Sequence, residues 1–189
     1  AARAARLAGR AGPLRLLVIG GSQGARVLNE TLPAALALLP AGERPEVWHQ
    51  GGARELEACR ERYRAHDVAA RTTAFIDDMV AAYAWADVVV CRAGALTVSE
   101  LAAAGLAAIL VPLPSAIDDH QSLNARWLAD AGAALAVAQA AFTPEWLAAQ
   151  LARWSAARDE LTAMAGRARA LAMPHAADTV AANCLEVAR

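Results

Sequence analysis

The sequence predicts an α/β fold, a doubly wound parallel sheet of six strands. Short apolar segments alternate with helical segments along the 189 residues, and several of the apolar segments end at small or polar residues. Strands that are apolar throughout are typical of parallel sheets covered by helices on both faces. Ligands of such sheets bind beyond the carboxyl ends of the strands, so the loops there are where a site is expected.

The first half of the chain is predicted to contain four strands with a helix after each of the first three. The first strand stops at Gly20-Gly21, and Pro40 ends the helix that follows. Asp77-Asp78 begin the third helix, because carboxylates suit the positive end of a helix. In chain order, we predict strands at 14–20, 46–50, 72–75 and 87–91, and helices at 25–39, 53–65 and 77–86.

The second half is predicted to add two strands and a helical C-terminal part. Helices are expected at 96–104 and 121–131, and strands at 108–111 and 133–138. Thr143 is a predicted N-cap with Pro144 at the first helical position, after which the chain is helical with breaks near Ser155 and Pro174. We expect residues 1–12 to be a linker and residues 13–189 to form one domain.

Composition narrows the class of protein. Hydrophobic residues make up 57% of the chain and charged residues 20%, so a sizeable core is expected. The formal net charge of −1 gives no electrostatic case for nucleic acid or an acidic membrane as a partner. Three widely separated cysteines suggest free thiols in the cytoplasm. The longest uncharged run, 101–117, is shorter than the roughly 20 residues of a membrane span and contains Pro112 and Pro114.

The segment 88–100 is the most informative, because a buried strand stops there at a small-residue turn and leads into a helix. Unpaired N–H groups and the helix dipole at such a turn favour phosphate. We expect the first helical turn to carry Thr97, Ser99 and Glu100. A carboxylate repels phosphate but accepts hydrogen bonds from a sugar diol, so the pattern indicates a nucleotide or nucleotide-sugar. Alternatively, Thr97 and Glu100 form a capping box.

A glycine-rich loop, Gly20-Gly21-Ser22-Gln23-Gly24, follows the first strand. Its glycines permit close approach of a phosphate or sugar, and Ser22 offers a hydroxyl. The alternative is a tight turn with positive φ, in which Ser22 caps the helix. Ile19 stands where a dinucleotide fingerprint needs glycine, and His49-Gln50 replace the acidic residue that binds an NAD ribose. No Gly-Lys-Ser/Thr follows either, so NAD and ATP are both disfavoured.

Two further loops lie on the same predicted rim. Gln121 and Asn124 share a helix face after the fifth strand and can both reach sugar hydroxyls. The preceding Asp118-Asp119 suit a helix start better than a metal or acid–base pair, and His120 is either a general base or a polar cap. After the third strand, Ile76 is either core or a residue whose main chain contacts a flat base.

Five segments occur in a fixed order: 20–26 (GGSQGAR), 49–50 (HQ), 75–79 (FIDDM), 91–100 (CRAGALTVSE) and 119–124 (DHQSLN). Together they resemble the MurG family, the bacterial N-acetylglucosaminyltransferases that convert lipid I to lipid II in peptidoglycan synthesis. The resemblance runs from about Gly12 to the C-terminus. It covers the C-terminal, donor-binding half of a two-domain GT-B glycosyltransferase.

The resemblance implies a donor site for UDP-N-acetylglucosamine. Ile76 would bind the uracil through its main chain, and Glu100 would accept from both ribose hydroxyls. Ser22 and the groups around Leu96 and Thr97 would bind the diphosphate, and the Ala95 N–H and Gln121 would reach the sugar. Ala93 and Ala107 depart from the commonest family pattern without removing an assigned group. The full set of implied donor-site residues is Gly21, Ser22, Gln23, Gly24, Ile76, Ala95, Leu96, Thr97, Val98, Ser99, Glu100, His120, Gln121 and Asn124.

The implied reaction is an inverting transfer of N-acetylglucosamine to the 4-hydroxyl of lipid I, with no metal or other cofactor. The general base and the lipid I site would belong to an N-terminal acceptor domain that has no counterpart here. The complete enzyme would be peripheral on the cytoplasmic face of the bacterial inner membrane. Three alternatives stay open. The first two are another GT-B enzyme that uses a UDP-sugar, such as a glycolipid glycosyltransferase or an epimerase, and a non-catalytic nucleotide-sugar-binding module. The third is an NAD-binding domain, which Ile19 and His49-Gln50 disfavour.

Overall fold

A computed structural model describes residues 12–21, 24–114 and 119–187. Its strands are β1 (Arg15–Ile19), β2 (Glu46–Gln50), β3 (Arg71–Thr73), β4 (Val88–Cys91), β5 (Ala107–Leu110) and β6 (Ala134–Ala136). Its α-helices are α1 (Arg26–Ala37), α2 (Leu56–Ala65), α3 (Met79–Trp85), α4 (Ala95–Ala104), α5 (His120–Ala129), α6 (Pro144–Ala156), α7 (Arg158–Ala170) and α8 (Ala176–Val187). Short 3₁₀ turns lie at Ala41–Glu43 and Gln139–Ala141.

The six strands form one parallel sheet in the order β3-β2-β1-β4-β5-β6, which confirms the predicted fold class. The order reverses between β1 and β4, where Ile19 pairs with Cys91. The loops that follow these two strands therefore leave the sheet side by side and in opposite winding directions. A crevice at this reversal is the usual ligand site of an open parallel sheet.

Both faces of the sheet are buried, as the apolar strands predicted. Along β4, Val88 and Val90 pack in one cluster of core residues, and Val89 and Cys91 pack in the other. The first cluster includes the fully buried Trp154 of α6. Helices thus cover the sheet on both sides, and polar function is confined to the ends of the strands.

The element boundaries depart from the prediction at β3. The expected strand 72–75 is instead Arg71–Thr73, so Phe75 and Ile76 lie in the loop beyond it. As an edge strand, β3 pairs only with β2, and the register ends at Gln50 with Thr73. Because β2 stops there, residues after Thr73 have no strand to pair with.

No α-helix in the described part of the chain has the length and apolar character needed to cross a membrane. Cys59 and Cys91 are buried and Cys184 is exposed, and all three are free thiols, as predicted.

Candidate functional site

The loop after β1 is held against β2. Gly21 and Gly24 have φ of +79° and +75°, a conformation that side chains rarely adopt. A Cβ on Gly24 would lie 2.3 Å from the carbonyl oxygen of Gly51, so this position also needs glycine for space. The positive φ expected of a tight turn is present. Ser22 and Gln23 lie outside the described residues, and the helix is entered through Ala25.

Gln50, the last residue of β2, holds this loop in place through side-chain hydrogen bonds. The Gly21 N–H donates to Gln50 Oε1 at 3.0 Å, and Gln50 Nε2 donates back to the Gly21 carbonyl at 2.8 Å. The same Nε2 lies 3.3 Å from the Ala74 carbonyl oxygen. One buried amide therefore joins the loop after β1 to the segment after β3. From the sequence, Gln50 was noted as a departure from NAD-binding proteins and as part of a family motif, but no role was assigned to it.

The turn after β4 presents unpaired main-chain donors. Gly94 is the N-cap of α4 and has no side chain to cap the helix. The first intrahelical bond runs from the Val98 N–H to the Gly94 carbonyl. Among the described residues, the N–H groups of Ala95, Leu96 and Thr97 have no hydrogen-bond partner. These three donors, at the positive end of the helix dipole, can bind an anion such as a diphosphate.

The capping-box alternative for Thr97 and Glu100 is wrong. Because α4 begins at Ala95, Thr97 is the third helical residue, and Ser99 and Glu100 lie in the second turn rather than the first. Glu100 Oε2 instead accepts a hydrogen bond of 2.8 Å from the Tyr83 hydroxyl on α3. Its carboxylate therefore faces away from the helix end and towards the groove between α3 and α4.

The start of α5 completes the rim. Asn124 Nδ2 donates to the Ala93 carbonyl at 3.0 Å and so ties α5 to the turn before α4. Gln121 Oε1 accepts from the Leu113 N–H at 3.0 Å. His120 is the first residue of α5, and Asp119 precedes it with φ of +53°. Asp119 is the N-cap residue of α5, but its carboxylate accepts from the Ser122 hydroxyl and makes no capping hydrogen bond to the main chain. Asp118 lies outside the described residues.

Arg92 is a functional candidate to which the sequence analysis assigned no role. Its guanidinium donates to the carbonyls of Val111 and Pro112 and to Gln139 Oε1 at 2.8–3.2 Å. Partial burial lowers the pKa of this group, but a guanidinium stays charged at any physiological pH. Arg92, a residue of fixed positive charge, thus lines the same cavity as Gly94 and Thr97 at the start of α4. The sequence signal that could have identified Arg92 is its position directly after a predicted strand.

A cavity of about 290 Å³ brings these parts together. It is lined by Ile19, Gly20, Gly21, Arg92, Gly94, Thr97 and Gln121. Glu100 lies one turn further along α4 and lines a second groove, of about 400 Å³, with Met79 and Tyr83. Ile76 is buried, and its N–H and C=O have no hydrogen-bond partner among the described residues. A cavity able to hold an anion and a groove that bears a carboxylate therefore share one helix.

Behind the glycine-rich loop lies a buried polar cluster. His49 Nδ1 is 2.9 Å from the Tyr63 hydroxyl and 3.7 Å from Cys59 Sγ. Burial lowers the pKa of His49 to about 3 and raises that of Cys59 to about 11. All three groups are therefore neutral at physiological pH and serve the packing beneath the loop.

Residues 15–180 match the model of the glycosyltransferase family 28 C-terminal domain. The chain is 58% identical over 184 residues to a Nitrosococcus oceani protein named UDP-N-acetylglucosamine--N-acetylmuramyl-(pentapeptide) pyrophosphoryl-undecaprenol N-acetylglucosamine transferase. That match covers 97% of this chain and 51% of the relative. A protein of the same name from Azotobacter vinelandii is 59% identical over 93% of this chain and 49% of its own length.

Solved structures show the same family similarity. The crystal structure of Acinetobacter baumannii MurG superposes with a TM-score of 0.85 at 44% identity, over 94% of this chain and 51% of that one. WaaG, a glycosyltransferase of lipopolysaccharide biosynthesis, superposes with a TM-score of 0.61 at 22% identity, over 90% of this chain and 45% of that one, which shows a shared fold. The chain spans about half the length of the curated relatives it matches.

Proposed function

Because this chain belongs to glycosyltransferase family 28, whose C-terminal domain it matches, we propose that it is the donor-binding half of an N-acetylglucosaminyltransferase. The complete enzyme would move N-acetylglucosamine from UDP-N-acetylglucosamine to the 4-hydroxyl of lipid I. The relatives that carry this activity in their names are 58% and 59% identical to the chain.

The arrangement along α4 is the observation that carries the proposal. Three unpaired N–H groups at its start suit a diphosphate, and Glu100 one turn further suits the ribose hydroxyls. The unpaired main-chain groups of Ile76, beyond the end of β3, suit the edge of a uracil. Phosphate, ribose and base are bonded in this order in UDP, so one ligand satisfies all three sets of groups. Gln121 lines the same cavity and is expected to reach a sugar attached to the diphosphate.

The same groups explain how the domain would assist the reaction. When the acceptor hydroxyl attacks the anomeric carbon, the bond to UDP breaks and negative charge grows on the diphosphate. The start of α4 carries roughly half a positive charge, and Arg92, with a full positive charge, lines the same cavity. Fixed donors and charges that meet a developing negative charge stabilise the transition state more than the ground state.

Acceptor binding belongs to the remainder of the enzyme under this proposal. The relatives are about twice as long as the chain, and the lipid I site and the general base would lie in their other half. The complete enzyme would work at the cytoplasmic face of the membrane, where lipid I is its acceptor. The chain alone is therefore expected to bind donor and to transfer little or no sugar.

Titration with UDP, UDP-N-acetylglucosamine, UDP-galactose and NADH, by calorimetry and ligand-observed NMR, tests the proposal. UDP and UDP-N-acetylglucosamine should bind, and Glu100→Ala should weaken both by roughly 10- to 150-fold, the worth of charge-assisted hydrogen bonds. Glu61→Ala, an exposed α2 variant, is the control. A preference for UDP-galactose would favour another UDP-sugar enzyme. Binding of NADH instead, or strong sugar transfer by the chain alone, would refute the proposal.

A further inference from the structure

Tyr83 is a buried residue of α3 whose hydroxyl contacts Glu100 in the proposed donor site. Its ring packs in the core cluster that contains Val89 and Cys91, and only 7% of the residue is exposed. Its hydroxyl emerges from this cluster and donates to Glu100 Oε2 at 2.8 Å. Burial and the neighbouring carboxylate raise the phenol pKa far above its usual value, so the hydroxyl keeps its proton and remains a donor.

This hydrogen bond fixes a carboxylate that nothing else fixes among the described contacts. Glu100 makes no described ion pair, and its one described hydrogen bond is the one from Tyr83. A glutamate side chain has several rotamers, and ordering it costs free energy when a ligand binds. An ionised carboxylate offers about four acceptor positions, so the Tyr83 bond leaves Oε1 and part of Oε2 for other donors.

We propose that Tyr83 is a positioning residue that holds the Glu100 carboxylate ready for a ribose diol and so gives the site its preference for ribonucleotides over 2′-deoxyribonucleotides. The inference rests on the proposed donor-binding function and extends it. In this proposal Tyr83 acts through the Glu100 carboxylate, beside which it lines the groove. It acts because its rigid ring, anchored in the core, sets where the carboxylate lies before the ligand arrives.

Ring and hydroxyl can be separated experimentally. Tyr83→Phe keeps the ring in the core and removes only the donor to Glu100. If Tyr83 merely fills the core, this change weakens all ligands alike through stability. If Tyr83 positions Glu100, it weakens binding of UDP more than binding of 2′-deoxy-UDP, because only UDP offers both hydroxyls to the carboxylate.

The experiment is a double-mutant cycle in which the measured quantity is the affinity for UDP divided by the affinity for 2′-deoxy-UDP. Ligand-observed NMR at millimolar nucleotide gives Kd for UDP and 2′-deoxy-UDP with the unchanged chain, Tyr83→Phe, Glu100→Ala and the double variant. We expect Tyr83→Phe to lower the affinity for UDP relative to that for 2′-deoxy-UDP by about two- to tenfold, the worth of one hydrogen bond. In the Glu100→Ala background, Tyr83→Phe should leave the ratio unchanged.

Tyr63→Phe is the matched control, because Tyr63 is also buried and its hydroxyl also has one side-chain partner, His49, outside the donor site. It should leave the ratio unchanged. Melting curves confirm folding, and Tyr83→Met replaces Tyr83→Phe if that variant is too unstable. An unchanged ratio in a folded Tyr83 variant, with UDP binding dependent on Glu100, overturns this inference alone. Absence of saturable UDP binding, or no effect of Glu100→Ala, overturns the proposed function and this inference with it.

Discussion

Removing the Gln50 side chain is expected to release the loop after β1. In Gln50→Ala, the Gly21 N–H and carbonyl lose their partners at 3.0 and 2.8 Å, and the Ala74 carbonyl loses a weaker one at 3.3 Å. Each buried hydrogen bond contributes about 0.5–1.5 kcal/mol, and groups left unpaired cost more. We therefore expect the free energy of unfolding to fall by about 2–4 kcal/mol.

Urea unfolding followed by circular dichroism measures this loss, with UDP affinity measured on the same samples. Gln150→Ala is the control, because Gln150 is also buried but its Nε2 has no hydrogen-bond partner among the described residues. That variant should lose about 1 kcal/mol or less. If Gln50→Ala unfolds at the same urea concentration as the unchanged chain, or binds UDP equally well, Gln50 does not hold the loop.

Three other predictions concern the surroundings of the site. Gly24→Ala should lower the free energy of unfolding by at least about 2 kcal/mol, because φ is positive there and the Gly51 carbonyl leaves no room for a Cβ. Gly42→Ala, where a Cβ would enter open space, should lower it by under about 0.5 kcal/mol, and urea unfolding measures both changes. Because folding lowers the pKa of His49 to about 3, stability should fall as pH drops from about 6.5, by at most about 1.4 kcal/mol per unit. His49→Asn should flatten that dependence; an equal slope contradicts it. Iodoacetamide should label Cys184 in the folded chain and the two buried cysteines only in denaturant.

Much of the fold could be predicted because apolar runs and turn residues are local signals. All six strands and their parallel arrangement are confirmed, as is the resemblance to the MurG family. The end of β3 was wrong because an edge strand stops where its neighbour stops, and the residues of β3 do not encode where β2 ends. Local sequence therefore predicts the existence of a strand better than its last residue.

The geometry of the candidate site was predictable where it depends on the main chain at a loop. Gly94 predicts an uncapped helix start, and Glu100 stands out as a carboxylate beside an anion pocket. The capping-box pattern and the ligand-binding pattern use the same residues, and only the first residue of α4 decides between them. The partners Gln50 and Tyr83 were missed because their contacts join segments 29 and 17 residues apart, which no local pattern records.

The side-chain hydrogen bonds that hold the loops together limit how the sequence can vary. Where a ligand is bound by main-chain N–H groups, the side chain at that position is free to change, and Leu96 is accordingly 73% exposed. Side chains that tie loops to one another, such as Gln50 and Asn124, have no such freedom. A saturation scan of this chain should therefore tolerate most substitutions at Leu96, which the proposed donor would contact through its main chain, and fewest at Gln50 and Asn124, which hold the loops.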